Sequence, residues 1–258
     1  MSIYSFSNTI IFDACSDAFI HSQHIDNNYG SETYIRVGSA LDPAYDMGIK
    51  RGFVKFDLTS IPAECIIEHV VLKAFQTDGY IGNGFQVIPV LSSWEEDTIT
   101  WNNQPIVDNS LGIIEMVSGG ICTFESDSLT ELVQSWIVNG NNFGISFRFH
   151  DENYQNTETS LLGDTFTARE NTNQDRIPPQ LEIQYHLAAP SLQIFAENDT
   201  VYLTWDSLSW ASTYTIFTAE NAFTSIENWT IENDSITDNS WSSPIANRKK
   251  FYYVRAKQ

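Results

Sequence analysis

The sequence predicts an all-β protein built as two successive β-sandwiches, a larger one over residues 1–186 and a smaller one over 187–258. Three observations predict it. Short β-branched and aromatic runs recur between Gly, Asn, Asp and Pro punctuation. Helical periodicity shows in one place. The composition, 13% aromatic against 18% charged, is that of a packed chain able to bury two cores.

The strands follow in order from local pattern. Residues 33–37, 51–58, 69–75, 86–91, 145–149 and 181–185 each combine β-branched or aromatic residues with turn residues at their ends. Residues 128–138, SLTELVQSWIV, carry Leu129, Leu132, Val133, Trp136 and Ile137 at helical spacing, with Ser128 as the expected N-cap. One short helix over the open end of a sandwich fits this pattern. Many strands with little helix define a sandwich or jelly roll. After the HLAAP stretch at 186–190, three runs remain: VYLTW, ASTYTIF and KKFYYVRA.

Charge excludes some partners. The formal net charge is −20, and residues 1–186 hold 25 acidic against 8 basic side chains. A phosphate backbone is repelled by such a surface, so nucleic acid is not an expected partner. No apolar run is long enough to insert in a membrane. The three cysteines, Cys15, Cys65 and Cys122, have no CxxC or zinc spacing; their number allows one disulfide with a leftover thiol, and three separate buried thiols are the expected state.

Several motifs occur in one order along the first domain. Asp17-Ala-Phe-Ile20 leads into Asn28-Tyr29-Gly30, then Val37-Gly38 and FVKFDLTSIP at 53–62. VIPVLSSWEEDTITWNNQP follows at 87–105, then Trp136, Gly140-Asn-Asn-Phe-Gly-Ile145 and PQLEIQY at 179–185. Over residues 12–186 this series resembles the DNRLRE domain, a β-sandwich module of secreted and cell-surface proteins related to a carbohydrate-binding module family. The resemblance implies a jelly roll, a location outside the cell, and a non-catalytic role in binding a polysaccharide or other glycan. The first residues, MSIYSFSNTIIF, show no signal peptide, so a secretion signal is expected outside this sequence. Residues 187–258 resemble a fibronectin type III module through their early Trp205, the Ala-x-x-Tyr-x-Ile run and the late Tyr-x-Val-x-Ala strand.

Strand alternation nominates the ligand site. Phe53 and Lys55 fall out of phase with Val54, Phe56 and Leu58, and Tyr34 and Arg36 out of phase with Ile35 and Val37. Lys73 and Arg148 likewise oppose their apolar neighbours. Arg36, Lys55, Lys73 and Arg148 are therefore expected on an outer sheet face, where they suit sugar hydroxyls or uronic carboxylates. Tyr34 and Phe53 would stack on a pyranose ring. The same cations also suit pairing with carboxylates on a solvated face.

Asp26 and Asp151, in Asp/Asn-rich loops, are the candidate ligands for structural calcium, although such loops also collect these residues for turn geometry. Trp94 and Trp101 read as structural. Glu95 and Glu96 are adjacent and would point to opposite faces of a strand, which excludes a local glycosidase pair. No G-x-S-x-G, P-loop or HExxH is present, and no enzyme is expected. The competing expectation is a structural subunit of a surface layer, fibre or adhesin, contacting copies of itself or other surface proteins.

Overall fold

A computed structural model describes residues 7–40, 47–79, 84–115, 119–150, 152, 161–245 and 250–257. The chain divides into two compact units, one of residues 1–61 and 66–186, the other of residues 62–65 and 187–258.

The first unit contains β1 (Asn8–His21), β2 (Tyr34–Ala40), β3 (Gly48–Phe56), β4 (Cys65–Gly79), β5 (Phe85–Pro89), β6 (Gly112–Ile114), β7 (Gly120–Glu125), α1 (Asp127–Asn139), β8 (Ile145–Phe149), β9 (Leu161–Thr167) and β10 (Gln180–Leu187). Hydrogen bonds join them in the order β1-β10-β4-β9-β2-β3-β8-β5-β6, with β7 on β4. The long β1 pairs at two places in the series. Its first part, to Asp13, pairs with β10, and the rest, from Ala14, pairs with β3 through a bulge between Ala14 and Ser16. The expected all-β class is what the chain adopts.

Aromatic residues fill the interior. Phe85, Phe147 and Phe166 come from β5, β8 and β9, are essentially inaccessible, and have ring centroids 4.7–6.1 Å apart. Ile35, Val37, Val54, Leu72 and Ala74 are buried with them as alternation predicts. Gly52 has a steric reason: a Cβ there would stand 2.7 Å from Ile35 Cγ2.

The helix starts one residue before the expected 128. Ser126, not Ser128, is the N-cap, its side chain accepting the Leu129 N–H, with Asp127 in the first turn. Leu129, Val133 and Trp136 are its buried stripe, and Gly140 closes it at φ 68°.

The opposite face of β3 departs from expectation. Phe53 alternates away from Val54 as predicted, yet its exposure is 0%. The segment after β5 folds back over this face. Ala18, Ile20, Phe53, Val90, Trp94 and Ile99 form a second core there, with Trp101, Val107 and Phe143 packed against it. Phe53 therefore cannot stack on a sugar; its ring meets Trp94 at 5.8 Å. Polar locks hold the fold-back. Trp94 Nε1 donates to Phe143 O at 2.8 Å, and Asn28 Nδ2 donates to the carbonyls of Glu96 and Ile99 at 2.7 and 2.9 Å. A Cβ on Gly30 would lie 2.1 Å from Glu96 O, so the Asn-Tyr-Gly turn needs glycine to approach this segment.

The second unit contains β11 (Leu192–Glu197), β12 (Thr200–Trp205), β13 (Thr213–Ala219), β14 (Thr230–Ile236), β15 (Ser240–Pro244) and β16 (Phe251–Lys257). They form two three-stranded sheets, β11-β12-β15 and β14-β13-β16. Val201, Leu203, Trp205, Tyr214, Ile216 and Val254 make its core. Of the three thiols, none is in a disulfide; Cys65 and Cys122 are buried as expected, whereas Cys15 is exposed.

Replacing Phe53 by alanine tests the second core. A fully buried phenylalanine loses about 3–5 kcal/mol on truncation, whereas an exposed one would change stability by about 0.5 kcal/mol or less. Urea unfolding followed by the fluorescence of this unit is expected to show the larger loss.

Candidate functional site

Three of the four nominated cations are engaged by neighbouring groups. Lys73 on β4 pairs with Glu182 of β10 at 2.5 Å. Lys55 on β3 donates to Trp94 O at 3.0 Å and lies 4.9 Å from that indole ring, so it pins the fold-back segment. Arg36 on β2 stands over the Tyr34 ring at 5.0 Å, and Tyr34 in turn neighbours Phe19 at 6.0 Å. Each of the three is half-buried.

Arg148 sits in a different setting. In the β3–β8 ladder Gly52 pairs with Phe147, which sets Arg51 beside Arg148 one step further along. Arg148 in turn pairs with Gln86 of β5, and Gln86 with Ile113 of β6. All belong to the face opposite the phenylalanine core. Arg51 is fully engaged: Nε and Nη2 fork onto Glu152 at 2.7 and 2.5 Å, Nη1 donates to Gln104 at 2.6 Å, and its guanidinium lies 4.5 Å from the Trp101 ring. Arg148 has a long contact to Ser146 Oγ at 3.4 Å and no other hydrogen-bond partner among the described residues. Burial, then the neighbouring Arg51 charge, pulls it down to about 10, with Glu152 opposing. It stays cationic at neutral pH but is short of acceptors. Ile113 beside it is 52% exposed. An apolar side chain, an amide and an under-coordinated guanidinium thus share one outer sheet face.

Arg51, Gln86, Gln104 and Ile113 escaped the sequence reading. The signal for Arg51 was available, because the two-residue phase of Phe53 and Lys55 continues to it. Gln104 and Glu152 carried none, since only the fold-back and a distant loop bring them to Arg51. Trp94 is buried and Trp101 half-buried, in keeping with structural roles.

A second polar cluster joins the start of the first unit to its end. Oxygens of Asp17, Glu96 and Glu170 lie within 4.8 Å of one another. Glu96 Oε1 accepts the Asp17 N–H at 2.7 Å, Asp17 Oδ2 accepts the Arg169 N–H at 2.8 Å, and Arg169 forks onto Glu96 with 3.0 Å contacts. Glu96 lies in a turn, not a strand, which turns its carboxylate inward. The oxygen spacing is one that calcium ligands at about 2.3–2.6 Å from an ion could adopt. Asp26, the expected ligand, accepts from Asn102 at 2.7 Å instead and takes no part in the cluster. Asp151 lies outside the described residues.

A model of carbohydrate-binding module family 96 matches residues 8–185, and the chain belongs to that family. The family is a carbohydrate-binding one, which makes carbohydrate the partner of the first unit. No curated protein matches the chain. Among solved structures, a β-D-glucuronidase of Dictyoglomus thermophilum aligns at 10% identity over 99% of this chain and 44% of that one, with a TM-score of 0.21. That likeness carries no argument for fold or activity. No helix among the described residues is long and apolar enough to cross a membrane.

The acidic cluster predicts a pH dependence. Burial pushes Asp17 from 3.8 up to about 7, with Glu170 and Glu96 adding to the rise. The folded state thus keeps a proton that the unfolded chain releases above roughly pH 4. Stability contributed by this group is present below that pH and falls as pH rises toward 7. Asp17→Asn, which keeps a carbonyl for the Arg169 N–H, is expected to flatten the dependence of the urea midpoint between pH 4 and 7. Parallel profiles for the two proteins would contradict it.

Proposed function

We propose that this chain is a non-catalytic glycan-binding protein acting outside the cell, and that its ligand lies on the outer face of β8, β5 and β6 around Arg148. Family membership supports the carbohydrate; the half-buried guanidinium short of acceptors carries the location. A sugar hydroxyl or a uronic carboxylate supplies the acceptor that Arg148 lacks. Gln86 adds an amide, and Ile113 gives an apolar surface for ring C–H groups. The half-buried Trp101 and Gln104 flank this face through Arg51. Lys73, Lys55 and Arg36 hold the scaffold. Structural calcium, if the protein uses it, fits the Asp17–Glu96–Glu170 oxygens better than Asp26.

A second reading, a subunit of a surface layer, fibre or adhesin, draws on the second unit. We read that unit as fibronectin-type-III-like. Its β16 lies at the edge of β14-β13-β16, and an edge strand offers unpaired backbone groups to another chain. Concentration-dependent polymers in size exclusion and negative-stain images, without glycan retention, would favour it.

Affinity electrophoresis through gels of neutral and uronic polysaccharides, with and without calcium, tests the first reading. Arg148→Ala is expected to lose about tenfold or more in retention, because removing a charged hydrogen-bond donor costs about 1.5–3 kcal/mol. Lys73→Ala is expected to migrate as the parent does. Equal loss in both variants would show that Arg148 is not the contact.

A further inference from the structure

β1 ends in His21, and the turn after it returns His24 against it. The His24 N–H donates to His21 O at 3.2 Å. This sets the two rings edge to face with centroids 4.5 Å apart and brings the Nδ1 atoms to 3.0 Å. Tyr29, held by a 4.3 Å stack on Phe19, places its hydroxyl 2.7 Å from the same His24 Nδ1. His21 Nδ1 and the Tyr29 hydroxyl thus both approach His24 Nδ1 within one short stretch.

The protons do not suffice for these contacts. His21 Nε2 faces Met47 O at 2.7 Å, and a carbonyl can only accept, so Nε2 carries the hydrogen. In its neutral form His21 then presents a lone pair from Nδ1. If His24 Nδ1 is protonated, one N–H must serve both His21 and Tyr29. If it is not, Tyr29 can donate to it, but two nitrogen lone pairs then face each other at 3.0 Å. No neutral tautomer gives both contacts a proton of their own.

A metal ion resolves the conflict. We propose that His21, His24 and Tyr29 form a site for one divalent ion of the zinc–copper class. Two imidazole nitrogens about 2.0–2.1 Å from one ion stand roughly 2.9–3.4 Å apart between square and tetrahedral angles, and the observed 3.0 Å lies in that range. The His21 Nε2–H to Met47 carbonyl bond is the outer contact that fixes a ligating imidazole in its tautomer. Tyr29 is the third donor, releasing its proton to solvent as the ion enters, and water completes the shell. His21 is 1% exposed and serves as the rigid half, while His24 is exposed and gives the ion its entrance. The site differs from the all-oxygen Asp17 cluster, whose hard carboxylates suit calcium.

The ion would also brace the fold-back. Asn28, one residue before Tyr29, is locked onto Glu96 and Ile99, and the Asn102 N–H donates to Ile25 O within the same turn. Metal binding at His21 and His24 thus ties the end of β1 to the segment that covers Phe53.

Isothermal titration of the EDTA-treated full chain at neutral pH with zinc chloride, copper chloride and calcium chloride tests the site. One zinc or copper ion per chain is expected, with a rise in the thermal midpoint and no heat from calcium at this locus. His24→Ala, a change at an exposed side chain, is expected to weaken binding at least tenfold and abolish the thermal shift. Tyr29→Phe should weaken it less. His69→Ala and His186→Ala, which remove histidines paired with Glu125 and Glu68, should leave it unchanged. No binding by the parent, or undiminished binding by the His24 variant, overturns the proposal whatever the glycan experiments show.

Discussion

The packing of Trp94 onto Phe53 is the contact on which the first unit depends. A β-sheet with a solvated outer face would need alternating polar residues there. Here the outer face of β1 and β3 offers Ala18, Ile20 and Phe53, and the segment after β5 returns to cover them. The sandwich therefore has a second hydrophobic layer outside its main core. Much of the polar chemistry nearby secures that layer: Lys55 on the Trp94 carbonyl, Asn28 on two carbonyls, and glycine at 30 where a side chain would strike the backbone.

This constraint decides where a ligand can go. The covered part of the sheet is closed to solvent, and the open part runs from β8 toward β6. At the boundary Arg51 lies under Trp101 and is forked by Glu152, a well-paired charge of the kind that holds structure rather than ligand. Arg148 next to it is the contrasting case. Its charge is partly desolvated and repelled by its neighbour, so an incoming oxygen has more to gain there than at a cation with its own carboxylate. Lys73 with Glu182 illustrates the latter.

The Asp17, Glu96 and Arg169 network holds the ends of this unit together by different means. Asp17 is 1% exposed yet keeps a carboxyl beside two others, an arrangement tolerable when it is protonated or when a cation neutralises the set. Its carboxylate accepts the Arg169 N–H and its own N–H donates to Glu96, so it ties three distant stretches of the chain together. The His21–His24 contact closes the turn after β1, next to the Asn28 lock on the fold-back.

Taken by itself, the sequence determined the all-β class, the phases of the nominated strands and the position of α1 to within two residues. These follow from local periodicity, turn chemistry and capping, which need no knowledge of distant contacts. The order of motifs also pointed to the carbohydrate-binding family. Tertiary structure alone decided which outward positions see water. Alternation assigns Phe53 to a face, but whether that face is bare depends on a segment about forty residues away. Pairing was equally hidden: Lys73 gains Glu182 across 109 residues and Arg51 gains Glu152 across 101. Local pattern predicts where a side chain points, and long-range packing determines what it meets there.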